Sequence, residues 1–303
     1  MKKFGILALA TLVACACGVS KQAARSMPQK KDISVQLYSI RNVIGSPELY
    51  AKNHVEALKA LADMGYTSVE PANYKDGKLY GVKPERFKSD LDAAGLTCLS
   101  THVVKNISSE ELRTGDFTES MKWWDQAIAC HKTAGAKYIV QPSFPVPDNL
   151  KDLKTWCDYF NAVGRKCAEA GIKFGYHNHS HEFKKVEDRV VYDFMLENTD
   201  PRFVFFEMDV YWAVMGHAYP GEYFKKYPGR FRLLHIKDHY ELGESGMVGF
   251  DAIFKNAPTA GVEGIVVELE SFSTGDWKKS MKMCADYLLH SDFVPASYER
   301  IRN

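Results

Sequence analysis

Along the sequence, acids, amides and imidazoles recur at intervals that suit one shared site. They are Gln36, Glu70, His102 and Gln141, then His177-Asn178-His179 with Glu182, Glu207 with Asp209, His235 with Lys237 and Asp238, and Glu268 with Glu270. Four of these places hold pairs spaced by two: His177/His179, Glu207/Asp209, His235/Lys237 and Glu268/Glu270. In an extended strand, side chains two apart project from the same face. If those faces meet, imidazoles and carboxylates converge, and converging carboxylates repel one another unless a cation sits among them. A mixed His/Asp/Glu set is a usual cradle for Mn²⁺, Zn²⁺, Co²⁺ or Fe²⁺. One such strand end alone is better read as a salt-bridge or loop-capping partner, but four in succession point to a single divalent metal ion.

Short strands must position these groups. One phrase recurs, a helical pattern that ends in Gly and runs at once into an apolar, β-rich stretch: Met64-Gly65-Tyr66, Ala94-Gly95-Leu96, Ala134-Gly135-Ala136, Ala170-Gly171-Ile172 and Ala260-Gly261-Val262. The residue just past a helix often turns left-handed, a conformation Gly adopts without the cost of a Cβ, so each Gly marks a helix-to-strand junction. Ile139-Val140 and Ile265-Val266-Val267 lack the alternation of half-exposed strands and read as parallel strands buried on both faces. With Ser34 to Tyr38, Phe203 to Phe206 and Arg232 to Ile236 added, eight strands are expected near residues 34, 67, 97, 137, 173, 203, 232 and 264. The predicted fold is therefore α/β, a single (β/α)₈ TIM barrel, whose catalytic groups come from the C-terminal strand ends.

Helix signals agree. Ser46-Pro47-Glu48 supplies an N-cap and a first-turn Pro ahead of Val55, Leu58 and Leu61, and Lys83-Pro84-Glu85 opens Phe87, Leu91 and Ala94. A doubly wound open sheet would show a Gly-rich phosphate loop after its first strand, where this chain has Gln36-Leu37-Tyr38-Ser39-Ile40-Arg41.

A chain of 303 residues, 46% hydrophobic and 25% charged, is an ordinary globular protein, neither disordered nor a multi-span membrane protein. The net charge of +1 lacks the basic footprint that nucleic acid requires. At the N-terminus, Lys2 and Lys3 precede an apolar run from Phe4 to Ala14, too short for a stable membrane span. Leu12-Val13-Ala14-Cys15 resembles a bacterial lipobox. Residues 1–15 are accordingly expected to be a lipoprotein signal peptide with Cys15 lipidated, residues 16–31 a tether, and residues 32–303 the barrel. The protein would be exported and lipid-anchored at the cell envelope on the periplasmic side, with no other membrane contact. Cys98, Cys130, Cys157, Cys167 and Cys284 remain, an odd set without a CxxC pair, and read as buried small hydrophobes.

In order, Tyr176-His177-Asn178-His179 with Glu182-Phe183, Glu207-Met208-Asp209-Val210-Tyr211-Trp212, Gly229-Arg230-Phe231 leading to His235-Ile236-Lys237-Asp238, and Val267-Glu268 resemble the xylose isomerase-like barrels known as sugar phosphate isomerases/epimerases. The resemblance spans nearly all of the chain after the signal and is closest to an exported subgroup carrying His-Asn-His. It implies one metal ion, Mn²⁺ first and Zn²⁺, Co²⁺ or Fe²⁺ otherwise, held by a strand-5 carboxylate, a strand-6 Asp, a strand-7 His and a strand-8 Glu. Asp209, His235 and Glu268 match. His177 stands where ketose epimerases place Glu, so Glu182 is the implied fourth ligand, with His179 as the alternative.

The implied activity is isomerisation or epimerisation of a sugar by removal of a proton beside a carbonyl. The ion acts as Lewis acid, and Glu268, Glu270, His177 or His179 moves the proton. Lys237 either steadies the developing oxyanion or pairs with Asp209 or Glu207. Glu70 and His102 would bond sugar hydroxyls and Trp212 would stack on the ring, whereas Trp123 and Trp124, at helical spacing, read as core. The partner is a small sugar or glycoside. Two alternatives stay open: β-elimination from a 3-keto-glycoside at the same site, and a barrel that binds sugar without turning it over. A multi-metal abasic-site endonuclease fits less well, because Trp212 stands where those enzymes carry a further His.

Overall fold

The computed structural model describes residues 30–298. Eight parallel strands form its centre: β1 Ser34–Gln36, β2 Ser68–Glu70, β3 in two pieces, Thr97–Cys98 and Ser100–His102, β4 Tyr138–Gln141, β5 Lys173–His177, β6 Val204–Asp209, β7 Phe231–Ile236 and β8 Gly264–Val267. All eight expected strands are present. β8 pairs back onto β1 through Val267 and Val35, which closes one side of the ring. The other side closes through Leu99, between the two pieces of β3. Its N–H donates to the Val69 carbonyl at 3.0 Å, and its own carbonyl accepts from the Lys137 N–H at 3.0 Å. The chain is thus a TIM barrel.

Inward and outward positions alternate. Outward Phe206 and Leu234 join the main core under the helices, while inward Phe205 and Leu233 pack with Tyr138 and Val140 inside the barrel. Phe205 fills that interior so completely that Gly175 on β5 cannot carry a side chain, since a Cβ there would lie 2.5 Å from the Phe205 ring. One step higher on the same inward face stand Glu207 and His235. The barrel is plugged by apolar side chains below and by ionisable ones above.

The junction glycines Gly65, Gly95, Gly135, Gly171 and Gly261 all have positive φ. In helix Pro47–Met64, the Ser46 hydroxyl caps the Leu49 N–H at 3.2 Å. The helix buries Tyr50, His54, Ala57, Leu58 and Leu61, so Val55, expected on the inner face, is 71% exposed. Its spacing from Leu58 fits a stripe, but the wider Tyr50–Leu61 set fixes the rotation of the helix. Trp124 is fully buried, as expected of core, and Trp123 packs edge-on against it. Lys31, assigned to the tether, belongs to the barrel: it is buried and its ammonium donates to the Leu288 and Ser291 carbonyls at 3.0 and 2.6 Å.

The segments expected to be a signal peptide with Cys15 and a tether lie, up to residue 29, outside the described residues. The five remaining cysteines are buried and unpaired. Among the described residues, no helix is long and apolar enough to cross a membrane.

Candidate active site

Strand register assembles the upper end of the barrel. Asp209 is paired with His235 across β6 and β7, and Glu207 with His177 across β5 and β6. Asn178, between the two histidines, clasps the Asp209 backbone: its side-chain oxygen accepts from the Asp209 N–H at 3.2 Å and its amide donates to the Asp209 carbonyl at 3.3 Å. Just past β8, the Glu268 N–H donates to the Ile236 carbonyl at 3.2 Å and holds that residue beside β7. His177, Asp209, His235 and Glu268 therefore converge, with one nitrogen or oxygen of each within 4.8 Å of the others. His177 Nε2 lies 3.6 Å from Asp209 Oδ2, and His235 Nδ1 lies 3.9 Å from that oxygen and 3.5 Å from Glu268 Oε2.

All four are nearly or wholly buried. Asp209 Oδ1 accepts the Trp212 N–H at 2.7 Å as N-cap of helix Val210–Met215. Among the described residues, Asp209 Oδ2, His235 Nδ1 and both ring nitrogens of His177 have no hydrogen-bond partner. Buried polar atoms without partners are rare, because burial strips their water without replacement. Burial pushes the Asp209 carboxyl up to about 7, against the pull of Lys237 and His235. Burial also holds His177 well below the usual imidazole value, helped by the charge His235 would carry. Glu268 lies below the carboxylate range, since the nearness of His235, with Lys237 beside it, outweighs burial.

Beneath this group lies another, made of Glu70, His102, Glu207 and the other side of His235. His235 Nε2 sits 2.8 Å from Glu70 Oε1, and the Gln36 amide donates to the same oxygen at 2.7 Å. His102 Nε2 is 2.9 Å from Glu207 Oε2 and 3.0 Å from Glu70 Oε1. A carboxylate accepting at Nε2 fixes the His235 ring with its Nδ1 edge turned toward the upper group. Burial opposes a charge on His102 and His235, yet Glu70 and Glu207 outweigh it and raise both.

A cavity of about 370 Å³ opens above, with His102, Ser143, His177, His179, Glu268 and Glu270 among its lining. His179 is held down to about 4, chiefly by burial, and is a neutral imidazole at neutral pH. Lys237 bridges Glu268 and Glu270 at 3.6 and 3.3 Å.

The profile of the xylose isomerase-like TIM barrel family matches residues 58–287. The chain belongs to this family. Among solved structures, it is similar to two sugar phosphate isomerases/epimerases from Parabacteroides distasonis. One is 34% identical, with 93% of this chain and 100% of that one covered and a TM-score of 0.80. The other is 37% identical, with 88% and 100% covered and a TM-score of 0.78. The IOLI protein, whose structure holds a zinc atom, shares the fold at 14% identity, with 87% and 98% covered and a TM-score of 0.62. No curated protein matches the chain.

Within this xylose isomerase-like barrel the expected site residues divide. Asp209, His235 and Glu268 meet, but Glu182 stands apart from them, grouped with His179 and His181. It sits on a 3₁₀ turn that folds its carboxylate back, where it accepts from the Tyr176 hydroxyl and, at 2.9 Å, from the His179 N–H. His177 takes the place beside the other three. Glu70 does not line the cavity, being fully buried beneath its floor and bonded to Gln36 and His235. Trp212 is not on the wall either; its ring packs against His179 and Tyr211, with Lys237 Nζ 5.7 Å from its centre. Lys237 pairs with Glu268 and Glu270 rather than Asp209 or Glu207. Sequence reasoning counted Gln36 and Glu207 among the strand-end groups, Glu207 also as a partner for Lys237, but did not foresee that they support His235 and His102 from below, although the period of two places Glu207 one layer under Asp209. It missed Tyr38 and Val104 on the cavity wall, which carry no chemical signal.

Proposed function

We propose that the protein is a divalent-metal-dependent sugar isomerase or epimerase, with one ion held by His177, Asp209, His235 and Glu268 and Mn²⁺ preferred over Zn²⁺, Co²⁺ or Fe²⁺. The observation that carries this reading is the convergence of those four buried groups with Asp209 Oδ2, His235 Nδ1 and the His177 nitrogens unpartnered. Two imidazoles and two carboxylates are a donor set that first-row divalent ions accept. The names of the Parabacteroides relatives and the zinc in IOLI support the same reading. When bound, such an ion supplies Lewis acidity toward a carbonyl and its neighbouring hydroxyl.

The chain's own groups supply the rest. His179 and Glu270 face the cavity and are not needed to hold the ion. Either takes a proton from the carbon beside the carbonyl, His179 because it is neutral at working pH. Lys237, kept charged by Glu268, Asp209 and Glu270 against burial, places its ammonium next to where negative charge develops on oxygen. His102, held by Glu207, presents its ring to a sugar hydroxyl. Return of the proton to the neighbouring carbon gives an isomer, and return to the opposite face gives an epimer. Departure of a β-substituent instead would make the same site a lyase of 3-keto-glycosides, which product analysis decides.

The test is solvent-deuterium exchange of ketose protons followed by NMR, with metal content measured on the same preparation. The reading requires exchange that depends on bound ion, and purified protein that neither takes up a divalent ion nor exchanges a proton would refute it. Export with anchoring through Cys15 is part of the same proposal, and failure of Cys15 to incorporate labelled fatty acid in a bacterial host would remove it.

A further inference from the structure

Half of the cavity lining is apolar or aromatic. This half is built from Tyr38, Ala72, Tyr74, Val103, Val104 and Pro142. Two of these, Tyr38 and Val104, belong to the few large hydrophobic side chains that stay exposed, at 45% and 48%. Both line the cavity that also reaches His177 and Glu268 of the metal-ligating group. Exposed apolar surface inside a polar-rimmed pocket is the usual mark of a contact to be covered by a ligand. Tyr38 is also held in place before any ligand arrives. The Arg41 guanidinium lies 4.4 Å from its ring centre and donates to the Tyr38 and Glu270 carbonyls, both at 3.1 Å. A ring fixed in advance costs little further ordering on binding.

Charge points the same way. A phosphate placed in the cavity meets the carboxylates of Glu268 and Glu270, while the neighbouring cations are engaged elsewhere. Lys237 pairs with those two acids, Arg41 is taken up by two carbonyls and the Tyr38 ring, and Lys105 lies over the Trp123 ring at 5.9 Å. Phosphate sites are built from bidentate Arg, Lys or clustered backbone N–H groups, and among the described residues lining this cavity there is no Lys or Arg. At about 370 Å³, the space falls within the range that accommodates a ligand larger than a bare sugar ring.

We infer that the substrate is an unphosphorylated sugar carrying an apolar, aryl-like substituent, with the sugar on the His/Glu side and the substituent against Tyr38 and Val104. This rests on the proposed metal-dependent sugar chemistry and narrows it, since the relatives' names would suggest a phosphate. The experiment is calorimetric titration of Mn²⁺-loaded full-length protein with three probes, phenyl β-glucoside, glucose and glucose 6-phosphate. Uptake of Mn²⁺ alone is measured first. The phenyl glucoside should bind about 10-fold more tightly than glucose, and glucose 6-phosphate no better than glucose. Tyr38→Ala and Val104→Ser, each checked for an unchanged melting temperature, should bring the phenyl glucoside down toward glucose. Glucose 6-phosphate as the tightest probe, no advantage of the phenyl group, or an advantage that survives both substitutions overturns the inference. Mn²⁺ uptake with any of those results removes the apolar subsite alone, whereas no Mn²⁺ uptake removes the metal-dependent function beneath it.

Discussion

At the N-terminal end of the barrel, Glu263 is saturated. It accepts from Lys173 at 2.6 Å, from Arg232 at 2.5 Å and from the Tyr138 hydroxyl. Burial alone would raise its pKa, but hydrogen bonds from Lys173 and Tyr138 and the charge of Arg232 hold it at about 2. At the C-terminal end, Glu70, Glu207, Asp209 and Glu268 crowd around His102, His177 and His235, and among the described residues one oxygen each of Glu70, Glu207 and Asp209 lacks a hydrogen-bond partner. The larger cavity, about 700 Å³, is at the N-terminal end, where the chemistry is not. Unmet bonding capacity, rather than volume, marks the working end of this fold. Substituting a carboxylate at either end should therefore have opposite consequences for stability and function.

The contrast breaks first at Asp209. Asp209→Asn should abolish stoichiometric metal content and lower proton exchange by at least about 100- to 1,000-fold, while the ion-free melting temperature holds or rises because a poorly satisfied buried carboxylate is gone. A melting temperature that falls by many degrees would show that the group is structural. Next comes Glu70→Leu, which takes the acceptor from His235 Nε2 and frees the ring to turn or change tautomer. Metal affinity, measured by competition with a chromophoric chelator, should weaken about 10- to 100-fold with the fold retained.

A third effect separates the two ends through the ion itself. At about 100 times its Kd, Mn²⁺ should stabilise the parent by about 2.7 kcal/mol, read as a rise in melting temperature of several degrees, and leave Asp209→Asn unmoved. The smallest effect belongs to the saturated end. Glu263→Gln should cost about 1–2 kcal/mol at pH 7, modest because Lys173 is 44% exposed, and should leave turnover unchanged. Its folded-state pKa lies below the ordinary 4.5, so its stabilisation is complete above about 4.5 and is lost as pH falls to about 2. The melting temperatures of parent and Glu263→Gln should thus approach one another across that window, and a constant gap would mean that the carboxylate charge plays no part.

Much of this was legible beforehand because it is local. The five junction glycines announce themselves, since a left-handed residue after a helix is a property of a few consecutive residues. Strand periodicity put Glu207 with Asp209, His235 with Lys237 and Glu268 with Glu270 on shared faces without knowledge of their neighbours, and the family resemblance then picked Asp209, His235 and Glu268 from those pairs. Glu182 could not be placed that way. It lies beyond β5, where a 3₁₀ turn sets its direction and turns it back to the His179 N–H. Glu70 was expected across the mouth, but how far β2 rises relative to β7 decides that it sits beneath His235. Val55 shows the same limit on a helix, where the rotation follows from the whole buried stripe and not from three residues of it.

The sequence by itself determined the number of strands, their order and the faces on which the imidazoles and carboxylates stand, because steric preferences and two-residue alternation act within a few peptide units. Only the closed barrel decided that His177 and not Glu182 joins the upper group, that Glu70 supports His235 from below, and that Tyr38 and Val104 face the cavity. Those outcomes depend on the stagger between strands and on loop direction, which arise from packing between residues far apart in the chain.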